Sequence, residues 1–149
     1  MTKMVIGNIE LCALPDLGIG DLQVRIDTGA KTSSLHVDNI ERIKIGKKPG
    51  VKFDIHPEIH NVDRIVTCRA LICDVRRIKS SNGKSEQRYV INTPITMGGN
   101  TWPIEITLTD RSDMSYLMLL GREAMGNRVL VDPSQTFVLS DDSNDQASS

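Results

Sequence analysis

Residues 22–37 read LQVRIDTGAKTSSLHV, from Leu22 through Asp27, Thr28 and Gly29 to His36 and Val37. Leu22, Val24 and Ile26 alternate with Gln23 and Arg25, the period of a strand with one buried face. The strand runs into Asp-Thr-Gly, and the chain then returns. All three residues favour turns, and an aspartate at a strand end commonly accepts hydrogen bonds from backbone just beyond it. The same placement suits catalysis, because it fixes a carboxylate at the end of a rigid element. Asp27 is therefore either a turn cap or half of a catalytic pair.

Outward from this segment, strand signals dominate. Trp102, Ile104, Ile106 and Leu108 repeat the alternation, with Thr101, Glu105, Thr107 and Thr109 opposite. Further strands are expected over 4–6, 40–45, 51–56, 65–78, 87–97 and 136–139. The strand 51–56 is the weakest, bracketed by Pro49 and Pro57. Asn82-Gly83 and Gly98-Gly99 mark tight turns. After the apolar run 116–120, Gly121 opens a short helical stretch, REAMGNR, with Gly126-Asn127 as its stop. The expected fold is all-β, a closed barrel with one short helix near the C-terminus.

A chain of 149 residues is long enough for one core, so residues 1–139 read as a single domain. The stretch 140–149, SDDSNDQASS after Leu139, is polar and reads as a disordered acidic tail; without its three acids the net charge of −1 becomes +2. Neither value argues for nucleic acid or a membrane surface as a partner. No segment approaches the length of apolar sequence that spans a bilayer. Three cysteines, Cys12, Cys68 and Cys73, lack C-x-x-C spacing, and with no secretory signal they read as reduced thiols in a cytoplasmic protein.

If Asp27 is catalytic, it needs a second carboxylate. Two carboxyls a few ångströms apart share one proton, so one serves as base toward water and the other as acid toward a carbonyl. Gly29 would allow the partner to approach, and the Thr28 hydroxyl would lock the loop. Asp-Thr-Gly-Ala after an apolar strand, followed later by YLMLLGREAM, resembles the retropepsin pattern at Leu119, Leu120, Gly121 and Arg122. The ordered segments RIDTGAKTSSLHV, KSSNGKSEQRYVI, WPIEITLTDRSDM and LMLLGREAM resemble more closely a bacterial group, the RimB-like family, over residues 6–139. That family has long been labelled ATP-dependent zinc proteases and is linked with the glutamate ligase RimK. The resemblance implies a retropepsin-like barrel, peptidase activity, and removal of glutamate tails from a ribosomal protein, hence an acidic or polyglutamate-tailed substrate. It also implies Asp27, Thr28, Gly29 and His36 as the catalytic set, with Gly121 and Arg122 as structural support.

One Asp-Thr-Gly per chain implies a homodimer with paired Asp27 residues; Asp110, Asp113 and Asp132 are the acids a monomer would recruit instead. No cofactor is expected. His56, Glu58 and His60 form HPEIH, which is not the helical H-E-x-x-H of zinc peptidases, and no Walker-type loop is present for ATP. A zinc-dependent peptidase built from Asp27, His36, His56 and His60 is the enzymatic alternative, and a non-catalytic barrel that binds acidic peptides is the other. Two hairpins compete as a flap, around 44–50 and 79–85. The second is rich in bases: Arg76, Arg77, Lys79, Lys84 and Arg88. Such a run is commonly a solvated face, but arginine forks also bind carboxylates, and Arg77, Lys84 and Arg88 are the expected substrate contacts, with Arg77 and Arg88 nearly opposite across the turn. Lys31 stands where retropepsins often have an acid for the arginine of Gly-Arg, so Arg122 is expected to find another, Asp110 or Asp113.

Overall fold

The computed structural model describes residues 3–57, 64–79, 83–110 and 116–139. Its strands are β1 (Met4–Ile6), β2 (Ile9–Leu14), β3 (Ile19–Ile26), β4 (Ser33–His36), β5 (Asp38–Ile45), β6 (Lys48–Ile55), β7 (Val66–Leu71), β8 (Asp74–Lys79), β9 (Ser85–Met97), β10 (Asn100–Thr109), β11 (Met118–Leu120) and β12 (Val129–Val131), with a short helix α1 (Arg122–Met125). His60, Asn82, Asp113 and the tail 140–149 lie outside the described residues.

The strands join in the order β10-β4-β11-β3-β2-β9, and β9 pairs back onto β10, which closes a six-stranded barrel. Closure leaves these six strands no free outer edge, and it encloses the apolar faces read from the sequence. Leu22, Val24 and Ile26 are buried while Gln23 and Arg25 are exposed. They pack with Leu35, Ile91, Ile95, Ile106, Leu108, Met118 and Leu120 in one core. On β10 the alternation fails near its end, where Thr107 and Thr109 are buried too. This half of the strand is flanked by β4 on one side and β9 on the other, and Thr107 Oγ1 donates to the Ser33 carbonyl at 2.9 Å.

A second sheet, β5-β6-β7, stands beside the barrel. Contrary to the weak rating that the prolines gave it, β6 is its central strand, and Pro49 sits inside it opposite Lys44. The single strand expected over 65–78 is two strands, because the chain changes partner: Ile72 N donates to Pro49 O, and Cys73 N donates to Val90 O. β7 therefore pairs with β6, and β8 with β9.

Residues 136–139 form no ladder, contrary to expectation. Phe137 has φ +53°, outside strand geometry. Its N–H donates to Ile9 O, while Val138 N and Leu139 N donate to the carboxylate of Glu10. Glu10 is 0% exposed and also accepts from Gly7 N at 2.7 Å. One buried acid thus satisfies three backbone donors and ties the chain's later residues to β2.

Candidate active site

β11 lies between β3 and β4, parallel to the first and antiparallel to the second. The chain leaving β3 must therefore cross the end of β11 before it returns in β4. Asp27, Thr28 and Gly29 make that crossing, and the residues just past β11 become its floor. Asp27 N donates to Leu120 O at 2.9 Å, Arg122 N to Ala30 O at 2.8 Å and Glu123 N to Lys31 O at 3.1 Å. A Cβ on Gly121 would stand 2.6 Å from the Thr32 carbonyl and 3.0 Å from Ala30 O, so glycine is required for the loop to rest on this strand.

The carboxylate of Asp27 is partly exposed, and Oδ1 accepts a hydrogen bond from Gly29 N at 3.0 Å. The turn-cap contact is present: one oxygen fixes the loop, and the loop holds the carboxylate in place at the strand end. Gly29 also preserves space beside it, since a Cβ there would lie 3.3 Å from Oδ1.

The hydroxyl that locks the loop is not that of Thr28, which is exposed, but that of Ser33. Ser33 is buried, and its Oγ accepts from Gly121 N at 3.0 Å. A serine hydroxyl looks unremarkable in the stretch KTSS, and its role depends on a contact 88 positions away. Arg122 needs no acid. Its Nη1 donates to Thr28 O and Gly29 O, both at 3.1 Å, so the guanidinium grips the loop by its carbonyls. The ion pair at this place is instead Lys31 with Glu123, Nζ to Oε1 3.7 Å.

His36 is at the end of β4. Its N–H donates to Leu117 O, whereas Asp27 meets Leu120. Three residues of strand separate those contacts, roughly 10 Å at the usual rise. His56 Nε2 stands 2.8 Å from Asp38 Oδ2, joining the ends of β5 and β6. His60 lies outside the described residues, and among those described no three His, Cys, Asp or Glu side chains gather as a metal site would require. Asp132 is occupied by its own turn: Ser134 N and Oγ and Gln135 Nε2 all donate to its carboxylate, which holds it below the usual carboxylate range. Asp110 is exposed, at the end of β10.

The basic hairpin does reach the loop. A groove of about 700 Å³ is lined by Ala30, Lys31 and Thr32 on one wall, Arg76, Arg77, Ile78 and Lys79 on the other, and Glu123. The register across the hairpin corrects the expected pairing. Arg76, not Arg77, faces Arg88, and Arg77 faces Gln87. Arg88 is 8% exposed with Nε donating to Glu86 Oε2 at 3.1 Å, so little of it is open to a substrate. Arg76 is held by Asp74 and Glu105, at 2.8 and 2.9 Å. Arg77 and Lys79 are exposed on the opposite face, and Lys84 is exposed beyond the turn.

Comparison with known proteins bears on this arrangement. Residues 5–142 match the family model described as RimB-like, retropepsin-like aspartic endopeptidase RimB. Proteins from Shewanella pealeana and Desulfotalea psychrophila, each called a probable alpha-L-glutamate ligase, are 50% and 42% identical to the chain over 137 and 134 residues. These alignments cover 92% and 90% of this chain but 30% and 29% of theirs, so the chain spans under a third of the curated relatives it matches. A crystal structure of a Legionella pneumophila protein of unknown function superposes with a TM-score of 0.77 at 29% identity, covering 93% of this chain and 99% of that one.

Proposed function

The chain belongs to the RimB-like family of retropepsin-like aspartic endopeptidases, and from that premise we propose that it hydrolyses peptide bonds in glutamate-rich tails with a pair of Asp27 carboxylates. The observation that carries this reading is the fixed loop itself. Asp27 is held at a strand end by Leu120 O, while Arg122 clamps the two carbonyls that follow it. A carboxylate immobilised before substrate arrives spends no free energy on reorganisation in the reaction.

Each chain supplies one such loop, so the working enzyme is a homodimer with its two Asp27 residues across a two-fold axis. The pair holds a single proton. The ionised member takes a proton from water as its oxygen attacks the scissile carbonyl, and the protonated member gives its proton to the carbonyl oxygen. Collapse of the tetrahedral intermediate breaks the C–N bond, and the amine leaves with a proton from the pair. No metal or nucleotide enters these steps. His56 stands beside Asp38 at the ends of β5 and β6.

Acidic substrates are supported by the groove beside the loop, where Lys31, Arg76, Arg77 and Lys79 outnumber Glu123. They are supported also by the relatives called glutamate ligases. In those proteins the matching segment is under a third of the length, which fits a hydrolase working beside the activity that adds what it removes. Free thiols suit a cytoplasmic setting for this pairing.

The test is incubation of a glutamate-tailed peptide with wild-type protein and with Asp27→Asn, read by mass spectrometry. Progressive loss of glutamate residues with the wild type alone is the expected result. Equal shortening by both proteins would overturn the aspartic mechanism. Tight binding without shortening would leave a peptide-binding barrel in its place.

A further inference from the structure

Residues 42–52, RIKIGKKPGVK, hold five cations, Arg42, Lys44, Lys47, Lys48 and Lys52, and no acid. A net charge of −1 conceals this concentration, because all 19 acids lie elsewhere. Among the described residues, no hydrogen bond or ion pair engages the side chains of Arg42, Lys44, Lys47 or Lys48. None of them borders the groove beside Asp27.

The fold sets these cations on a projecting tip. β7 pairs with β6 only as far as Gly50, opposite Leu71. Beyond that point β5 and β6 run on as a two-stranded ribbon, with Lys44 opposite Pro49 and Ile45 opposite Lys48, and residues 46–49 are all exposed. The ribbon is braced where Ile45 lies over Gly50, since a Cβ there would stand 2.7 Å from Ile45 Cδ1. Cross-strand partners share a face, so the charges divide. Arg42 and Lys44, opposite Val51 and Pro49, lie on the face that buries Phe53 and Cys68 further along. Lys48 lies on the other face, in line with Lys52 and its partner Arg69. Lys47 stands at the turn between them. Acids begin only at the base of the hairpin, with Glu41 opposite Lys52. Arg42, Lys44 and Lys47 also border a hollow of about 480 Å³, completed by Ile43 and Pro49.

We propose that the tip of the β5–β6 hairpin docks on double-helical RNA through its phosphates. The proposal lies outside the hydrolysis reading and does not depend on it. An extended acidic peptide offers its carboxylates to one face of a ribbon at a time. A double helix offers two rows of phosphates across a groove, one for each face. The other side chains of the tip, Ile43, Ile45 and Pro49, neither bond to base edges nor stack on bases, so the surface reads neither a sequence nor a single strand. A DNA major groove, about 12 Å wide, takes in a whole ribbon and rewards side chains that read bases, which this tip lacks. In A-form RNA the same groove is deep and narrow. Its phosphate rows stand close together, and cations on either side of a slim tip meet both rows from outside.

The experiment titrates full-length wild-type protein into a fluorescein-labelled RNA duplex of about 20 base pairs and follows anisotropy between about 50 and 200 mM salt. Four phosphate contacts, from Arg42, Lys44, Lys47 and Lys48, are expected to give log affinity against log salt a slope of about −3 to −4. Lys44→Ala/Lys47→Ala/Lys48→Ala is expected to weaken binding at least about tenfold and to flatten the slope by about 2 to 3. Its unfolding in urea and its shortening of a glutamate-tailed peptide are expected to match wild type. Lys47→Ala alone, at an exposed turn, is expected to flatten the slope by about one. Arg77→Ala/Lys79→Ala, on the other basic hairpin, is expected to leave RNA binding as it is. Variants at 44, 47 and 48 that bind the duplex as wild type does, or an equal loss in the Arg77/Lys79 variant, overturn the docking surface. A DNA duplex of the same sequence bound as tightly overturns the choice of RNA. Hexaglutamate bound more tightly than the duplex, and lost in the triple variant, gives the surface to an acidic peptide instead. No RNA binding at about 50 mM salt overturns the proposal outright, and none of these outcomes bears on Asp27.

Discussion

Ser33 Oγ and Gly121 N, 88 residues apart in the chain, meet at 3.0 Å beneath the Asp27 loop. The contact is buried and sits where no side chain fits at residue 121. Gly121→Ala forces a methyl group against the Thr32 carbonyl and is expected to lower stability by about 1–3 kcal/mol or more, since backbone must move. Ser33→Ala leaves a buried N–H without its acceptor and is expected to lower it by about 1–3 kcal/mol. Urea unfolding of both variants measures this, and a stability change below about 0.5 kcal/mol in either would show that the loop does not depend on the contact.

Asp27→Asn keeps an oxygen able to accept from Gly29 N, so unfolding midpoints should match wild type. Turnover is expected to fall at least about a hundredfold, the lower range for loss of general acid–base catalysis. Retained turnover would remove Asp27 from the chemistry.

If the proposed homodimer is the active species, activity per chain falls when the protein is diluted below its dissociation constant, because a separated chain holds one Asp-Thr-Gly. Sedimentation and activity measured over the same concentrations should fall together. Full specific activity from a monomer would contradict the paired site.

Arg77→Ala and Arg88→Ala should separate cleanly. Arg77 is exposed with one weak contact, Nη1 to Ser85 Oγ at 3.4 Å, so its loss is expected to weaken acidic-peptide binding up to about fivefold without changing stability. Arg88 is buried against Glu86, and its loss is expected to lower stability by about 1–3 kcal/mol. The reverse assignment would mean that the hairpin turns its other face to the substrate.

Cysteine chemistry gives a pH prediction. Burial pushes the Cys12 thiol up to about 12, and burial together with the charge of Asp54 pushes Cys68 up to about 11, both from an ordinary value of 9.0. Raised folded values favour the protonated thiols, so their contribution to stability is complete below pH 9 and is lost as pH climbs toward 11 and 12. Stability should therefore fall on the alkaline side more steeply in wild type than in Cys12→Ala/Cys68→Ala protein compared with its own neutral value. Native protein should expose one thiol to a bulky thiol reagent, Cys73, and unfolded protein three.

Much of the barrel is legible in the sequence because alternation reports directly which face of a strand is buried. Leu22, Val24 and Ile26, and likewise Trp102 to Leu108, follow it. Asp27 and Gly121 are legible because each has a local signature, a carboxylate at a strand end and a glycine after an apolar run. Ser33 and Glu10 are not. Their importance comes from partners across the fold, Gly121 for one and Gly7, Val138 and Leu139 for the other. Register is similarly hidden: spacing around Asn82-Gly83 brings Arg88 near Arg77, but a one-residue shift gives it Arg76 and turns Arg77 to the other face.

β11 has a consequence for how the protein is made. The strand that separates β3 from β4 lies some ninety residues beyond them in the chain. During synthesis, Asp27 leaves the ribosome long before residues 118–125, and without those residues the crossing that carries it keeps only its own short-range contacts, such as Gly29 N to Asp27 Oδ1. A nascent chain lacks Leu120 to seat the loop and Arg122 to clamp it. The loop that carries Asp27 therefore reaches its final form only after residues 118–125 have been made.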